Sequence, residues 1–121
     1  MKMSGIPSAP QIDKRILSVL NNVFDIQRKI SGTDAESKIS RNLEKIISSF
    51  SSGNEEFFIE NPLGEKYTET RTDIEAHIVG DSTDDLTVVD VIKPIIRYGN
   101  KQLGLTSLVQ RGIVTVESTK N

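Results

Sequence analysis

The sequence predicts an α+β protein in which a helical hairpin precedes a small, mainly antiparallel β domain. In the first half of the chain, apolar residues recur every three or four positions, which is the period of an α-helix. After Asn54 the chain becomes rich in β-branched residues separated by Gly and Pro turns, which is typical of short strands. These patterns divide the chain into a flexible N-terminus (1–11), a helical hairpin (12–53) and a β domain (54–121).

The composition narrows the classes of function. The 121 residues carry a net charge of −2 with scattered Lys and Arg, which argues against a nucleic-acid partner. There is no cysteine, so disulfides and cysteine-ligated zinc are excluded. The N-terminus lacks the apolar run of a signal peptide, and no stretch approaches the roughly 20 apolar residues that span a bilayer. We therefore expect a cytoplasmic protein that does not bind membranes.

The first helix has an unusually wide apolar face. Its stripe comprises Ile12, Ile16, Val19, Leu20, Val23, Ile26 and Ile30. Leu17 and Phe24 lie beside this stripe and widen it. Because one neighbouring helix would not cover such a face, the pattern favours a bundle formed by two chains.

The second helix follows after a short link. Ser31-Gly32 predicts the end of the first helix, and Thr33 with Glu36 predicts a capping box in which Thr33 is the cap and Glu36 reaches back. The second apolar stripe consists of Ile39, Leu43, Ile46, Ile47 and Phe50. A link of four residues favours antiparallel packing of the two helices.

The β domain contains four apolar stretches. A short run in FFIENPLGEKY is followed by Asp73–Val79, which ends in the turn Gly80-Asp81-Ser82. The stretch from Leu86 to Tyr98 predicts one strand interrupted at Pro94, at an edge or a bulge. The stretch from Leu105 to Glu117 predicts a second long strand with a bulge at Gly112.

No pattern of catalytic residues accompanies these elements. His77 is the only histidine, and neither a nucleophile motif nor a pair of carboxylates goes with it, so we interpret it as a packing or surface residue. Asp81, Asp84 and Asp85 lack the spacing of a calcium loop, and the glycines form no phosphate-binding motif. We predict no enzyme activity, cofactor, metal or direct nucleotide binding. A small enzyme using His77 and the aspartates remains the weakest alternative.

The order of the motifs resembles the GrpE family of nucleotide exchange factors. The matching positions are Leu17, Val19, Leu20 and Asn22 in the first helix, Leu63, Gly64, Glu65 and Tyr67 in the turn, Glu75-Ala76, then Thr87, Val88, Val91 and Ile92, and finally Val109, Ile113, Val114 and Val116. The match covers about residues 12–118. Ile74 stands where the family has a histidine, and Gln110 stands where it has an arginine, with Arg111 one step later.

This resemblance implies a homodimeric co-chaperone. GrpE proteins pair through a four-helix bundle, and their β domain opens the ATPase domain of a DnaK-type chaperone so that ADP leaves. The family's long N-terminal stalk helix has no counterpart before Ile12, so we expect any function of that stalk to be missing. The alternative is a dimeric GrpE-shaped scaffold that lacks exchange activity.

The resemblance and the apolar stripes together suggest two sets of residues. For the dimer interface they are Leu17, Leu20, Phe24, Ile39, Leu43, Ile46 and Phe50. For contact with the chaperone, or support of that contact, they are Glu65, Tyr67, Val109, Gln110, Arg111 and Val114. For the two valines alone, a place in the core is the favoured interpretation.

Overall fold

The computed structural model describes residues 12–119, in which two helices precede six strands. The helices are α1 (Lys14–Ile30) and α2 (Glu36–Ser48). The strands are β1 (Glu56–Glu60), β2 (Ile74–Val79), β3 (Leu86–Lys93), β4 (Ile95–Asn100), β5 (Leu105–Gln110) and β6 (Gly112–Ser118). The α+β prediction is confirmed. The N-terminus predicted to be flexible, residues 1–11, lies outside the described residues.

Helix α1 begins and ends on local sequence signals. The carboxylate of Asp13 accepts a hydrogen bond from the Arg15 backbone N–H at 2.8 Å, which satisfies a free donor of the first turn. Beyond Ser31, Gly32 takes φ +77°, a left-handed conformation that glycine adopts at no steric cost. The predicted end of the first helix is therefore correct.

The predicted capping box at the start of α2 is only half correct. Glu36 does reach back, and its Oε1 accepts a hydrogen bond from the Gly32 backbone N–H at 3.0 Å. The Thr33 hydroxyl instead donates to the Ile30 carbonyl of α1 at 2.6 Å. The N-cap position of α2 is Ala35, which cannot cap through its side chain, so α2 begins at Glu36 with no side-chain cap.

The six strands form two small sheets. One sheet has the order β1-β4-β5, and the other has the order β2-β6-β3. Within the described residues, three of the strand pairs are antiparallel and the β2–β6 pair is parallel. The domain is therefore mainly antiparallel, as predicted.

Each long strand of the prediction is divided between the two sheets. Pro94 separates β3 from β4, and the chain passes there from one sheet into the other. The expectation of an edge position or a bulge at Pro94 is partly correct, because Pro94 follows β3, an edge strand whose pairing with β6 shifts register between Val91 and Lys93. Pro94 itself is fully buried and leads into β4, the middle strand of the other sheet. The predicted bulge at Gly112 is wrong. Gly112 begins β6, and a Cβ there would lie 2.9 Å from Ile95 Cγ1, so glycine is needed for close packing.

Helix α1 covers the cores of both sheets. Phe24 belongs to a cluster of buried side chains from β2, β3, β4 and β6. Leu20 belongs to a second cluster with Phe57 and Ile96, and Leu17 and Phe50 pack against it. The width of the apolar face of α1 is therefore used largely within one chain, since the sheets cover what α2 does not.

Candidate partner-binding surface

Five charged side chains form a chain of ion pairs at one end of the β domain, which we call the Asp73 network. Arg71 forms two hydrogen bonds to the Asp73 carboxylate, at 3.1 and 3.2 Å, and its Nη1 lies 3.0 Å from Glu65 Oε1. Arg97 joins Asp73 to Glu60, with distances of 2.9 and 3.1 Å. The network therefore fastens the segment before β2 to strands β1 and β4.

The Asp73 carboxylate is held in its charged form. Hydrogen bonding from Arg71 lowers the pKa of Asp73 below its usual value, outweighing the opposite effect of burial, and the positive charges of Arg71 and Arg97 act in the same direction. The carboxylate of Asp73 in turn raises the pKa of Arg71. Because the guanidinium groups are planar and paired, the network is a rigid support.

Two of the residues chosen from the sequence lie exposed beside this network. Glu65 is one end of it and is about half exposed. Arg111 is exposed, and its Nη2 donates to the Ile74 carbonyl at 2.9 Å. The next residue, Gly112, donates its backbone N–H to the Asp73 carbonyl at 2.9 Å. Glu65 is thus connected to Asp73 through Arg71, and Arg111 contacts the next residue, Ile74.

Gln110 has a different role from the one proposed from the sequence. Its side-chain amide exchanges two hydrogen bonds of 2.9 Å with the amide of Asn21 on α1, and its Nε2 also donates to the Pro94 carbonyl at 2.9 Å. Direct contact of Gln110 with a partner would break these bonds. Gln110 instead anchors α1 to the point where the chain crosses between the sheets.

The three apolar or aromatic choices are partly or wholly internal. Val114 is fully buried in the core, so it cannot touch a partner; its assignment as a partner-binding residue is wrong, and the core position favoured for the valines is correct for it. Val109 packs against the Leu20 cluster and is half-buried. Tyr67 packs against the Phe24 cluster, and its backbone N–H donates to the Leu86 carbonyl at 2.9 Å.

The residues chosen for a dimer interface differ widely in exposure. Leu20, Phe24 and Leu43 are buried within the single chain. Leu17, Ile39 and Phe50 are half-buried. Ile46 is exposed, at 40%. Two residues of the α1 stripe that were not chosen for the interface, Val19 and Ile26, are also exposed, at 38% and 40%. Val19, Ile26 and Ile46 form the exposed apolar helical set.

The residues weighed for chemistry remain on the surface. His77, Asp81, Asp84 and Asp85 are all exposed. Across residues 12–119, no group of three or more His, Cys, Asp or Glu side chains is arranged to hold a metal ion. No helix in this described range has the length and apolar character needed to cross a membrane.

Comparison of the chain with protein-family models, characterised proteins and solved structures yields no match. The assignment of its partner-binding surface therefore depends on the residues and contacts above.

Sequence reasoning missed Arg71, Asp73 and Arg97 as parts of the surface. Arg71 and Asp73 belong to the stretch TETRTD, in which threonine alternates with charge, a pattern typical of an exposed strand or loop. Side chains at positions i and i+2 of an extended segment lie on the same face of that segment. The spacing of Arg71 and Asp73 is therefore the signal that could have suggested their pairing. No local signal connects Asp73 with Arg97, which is 24 residues away.

Proposed function

We propose that this protein is a GrpE-like nucleotide exchange factor that binds the ATPase domain of a DnaK-type chaperone and promotes release of ADP. The observation that carries the proposal is that Glu65, at the end of the Asp73 network, and Arg111, which is bonded to the Ile74 carbonyl, are both exposed. Glu65 matches the family's turn motif, and Arg111 lies one step from the family's arginine position. A preorganised pair of opposite charges is suited to recognising a charged protein surface with specificity.

The rigidity of the β domain supports this activity. An exchange factor shifts its partner's equilibrium only if it binds the open ATPase conformation more tightly than the closed one. A surface held by ion pairs and by two sheets loses little conformational entropy on binding. Its binding energy is then available for opening the partner.

We also propose a homodimer formed through the helices. The exposed apolar helical set lies on both α1 and α2, and its area is left uncovered by the β domain. Burying such residues against a second copy is favourable at about 25 cal/mol per Å² of apolar surface. The proposed interface therefore differs from the seven residues chosen from the sequence. Three of those seven, Leu20, Phe24 and Leu43, are buried within one chain and are not available to a second copy.

A dimeric scaffold without exchange activity is the second candidate. Gln110 replaces the family's arginine, and its amide is already bonded to Asn21. Ile74 replaces the family's histidine and is buried. These two positions would offer no polar contact to the chaperone.

Reversing the charge of Arg111 tests the exchange function. We expect the protein to accelerate release of labelled ADP from a DnaK-type chaperone in stopped-flow measurements, and Arg111→Glu to lower that acceleration about tenfold or more, because a charge pair with the partner becomes a repulsion. Arg41→Glu makes the same charge change on the exposed surface of α2 and should retain the activity. If the unaltered protein neither accelerates release nor forms a complex with the chaperone on a sizing column, exchange activity is removed and the scaffold is the remaining candidate.

Charged substitutions in the exposed apolar helical set test the dimer. We expect the double variant Val19→Lys, Ile26→Lys to sediment as a folded monomer, since each lysine would have to lose water on pairing. Ile92→Lys places the same charge on an exposed apolar residue of β3, outside the helices, and should leave the dimer intact. A dimer that survives the double variant, or one that Ile92→Lys disrupts, would contradict pairing through the helices.

A further inference from the structure

Among residues 12–119, strand β2 pairs with β6 alone and therefore lies at the edge of its sheet. The Gly112 N–H donates to the Asp73 carbonyl, so the backbone groups of Asp73 point toward β6. Backbone groups alternate in direction along a strand, and therefore those of Ile74, Ala76 and Ile78 point outward.

Two of these three outward-facing residues have free backbone groups. The Ile74 carbonyl accepts the hydrogen bond from Arg111 Nη2. In the described part of the chain, no protein group is bonded to the outward N–H and C=O of Ala76 or Ile78. These four groups form an open edge on which a further strand could be added.

A crevice of about 400 Å³ lies next to this edge. Its apolar lining consists of Tyr67, Ala76, Ile78 and Leu86. Ala76 and Ile78 share a face of β2 with the buried Ile74, so alternate side chains of an added strand would point to the crevice side. Ile78 is 46% exposed and offers that strand an apolar contact.

The charges around the crevice indicate what would occupy it. Glu69, Asp84 and Asp85 contribute three carboxylates, and Lys66 is the only cation among the lining residues. The excess of negative charge favours basic residues in the incoming strand. A second copy of β2 would bring Glu75 and no Lys or Arg, so its charge does not complement this crevice.

We propose that the β2 edge and its crevice bind an extended segment of a partner protein in which every second residue faces the crevice and is either apolar or basic. The segment adds a strand beside β2, and its backbone pairs with Ala76 and Ile78. Its apolar side chains contact the crevice lining, and its basic residues meet the carboxylates of the rim. This site adjoins Arg111, which is bonded to the Ile74 carbonyl on the same edge, but the inference does not depend on nucleotide exchange.

Titration with a model peptide tests this proposal. The probe is an acetylated and amidated hexapeptide with threonine at its odd positions and lysine, valine and lysine at its even positions, so that the valine and both lysines face the crevice. It is added to the protein labelled with ¹⁵N. We expect the amide signals of Ala76 and Ile78 to shift and their hydrogen exchange to slow, because their backbone groups become paired. The matched peptide with glutamate in place of lysine should cause neither change. Equal binding of the two peptides, or shifts that avoid β2, would overturn the proposal.

Two protein variants separate the contributions of charge and backbone. Glu69→Gln, Asp84→Asn and Asp85→Asn together should weaken binding of the lysine peptide roughly three- to tenfold. Asparagine suits the positive φ of residue 85, so the fold should persist. Ala76→Pro removes an outward donor without touching the β6 ladder and should abolish the shift at Ile78. Shifts of β2 signals with protein concentration alone would show instead that a second copy covers this edge.

Discussion

Leu20→Ala should destabilise the fold by about 2–5 kcal/mol, the largest effect we expect from a single substitution of this chain. Leu20 is fully buried among Phe57, Ile96 and the side chains packed against them, so its removal leaves a cavity where α1 meets the first sheet. Urea denaturation followed by circular dichroism measures the change in the free energy of unfolding. Val19→Ala, one residue earlier and partly exposed, should cost much less.

The same substitution separates intrachain burial from burial between two chains. In the background of Val19→Lys and Ile26→Lys, which should be monomeric, we expect Leu20→Ala to cost the same free energy, because its neighbours belong to its own chain. If the cost disappears in that background, Leu20 is buried by a partner chain and the packing described for α1 does not hold in solution.

Asp73→Asn should destabilise the protein by about 1–3 kcal/mol at pH 7. The substitution removes the charge that receives hydrogen bonds from Arg71 and Arg97. The amide provides only one acceptor oxygen and places an N–H₂ group next to the guanidinium donors. The bonds that connect Arg71 and Arg97 through Asp73 are then weakened, and the segment from Glu65 to Asp73 is less well fixed to strand β4. Asp84→Asn removes an exposed carboxylate and should change stability by less than about 0.5 kcal/mol.

The effect of Asp73 depends on pH in a direction set by its pKa. Because the pKa of Asp73 is lower in the folded than in the unfolded protein, the carboxylate stabilises the fold above its unfolded pKa of about 4. This contribution is lost as the pH falls from about 4 through the lowered folded pKa. The difference in stability between the unaltered protein and Asp73→Asn should therefore be constant from pH 6 to 8 and shrink in acid. A difference that grows on acidification would contradict the assigned ion pairs.

The Asp73 network also connects stability with the proposed function. It joins Glu65 to the strand that begins beside Arg111, so loosening it would raise the entropy lost when the surface binds a chaperone. Asp73→Asn should therefore weaken chaperone binding even where the protein remains folded. Isothermal titration at pH 7 would measure this loss separately from unfolding.

Much of the local structure was determined by the sequence alone. The apolar period and the Ser31-Gly32 signal predict α1, and the turn residues around Gly80 predict where β2 ends. These features depend on residues that are neighbours along the chain. The same is true of the α+β class, because the change in pattern after Asn54 is a local property.

Only the tertiary structure decided how these elements share their apolar surfaces. The width of the α1 face is visible in the sequence, but a second chain and a sheet of the same chain can both cover it, and the sheets cover Leu20 and Phe24. The strand crossings at Pro94 and Gly112, the pairing of Asn21 with Gln110 and that of Asp73 with Arg97 join residues far apart along the chain. Periodicity carries no information about such pairs, because it records which side of an element is apolar and not what lies against it.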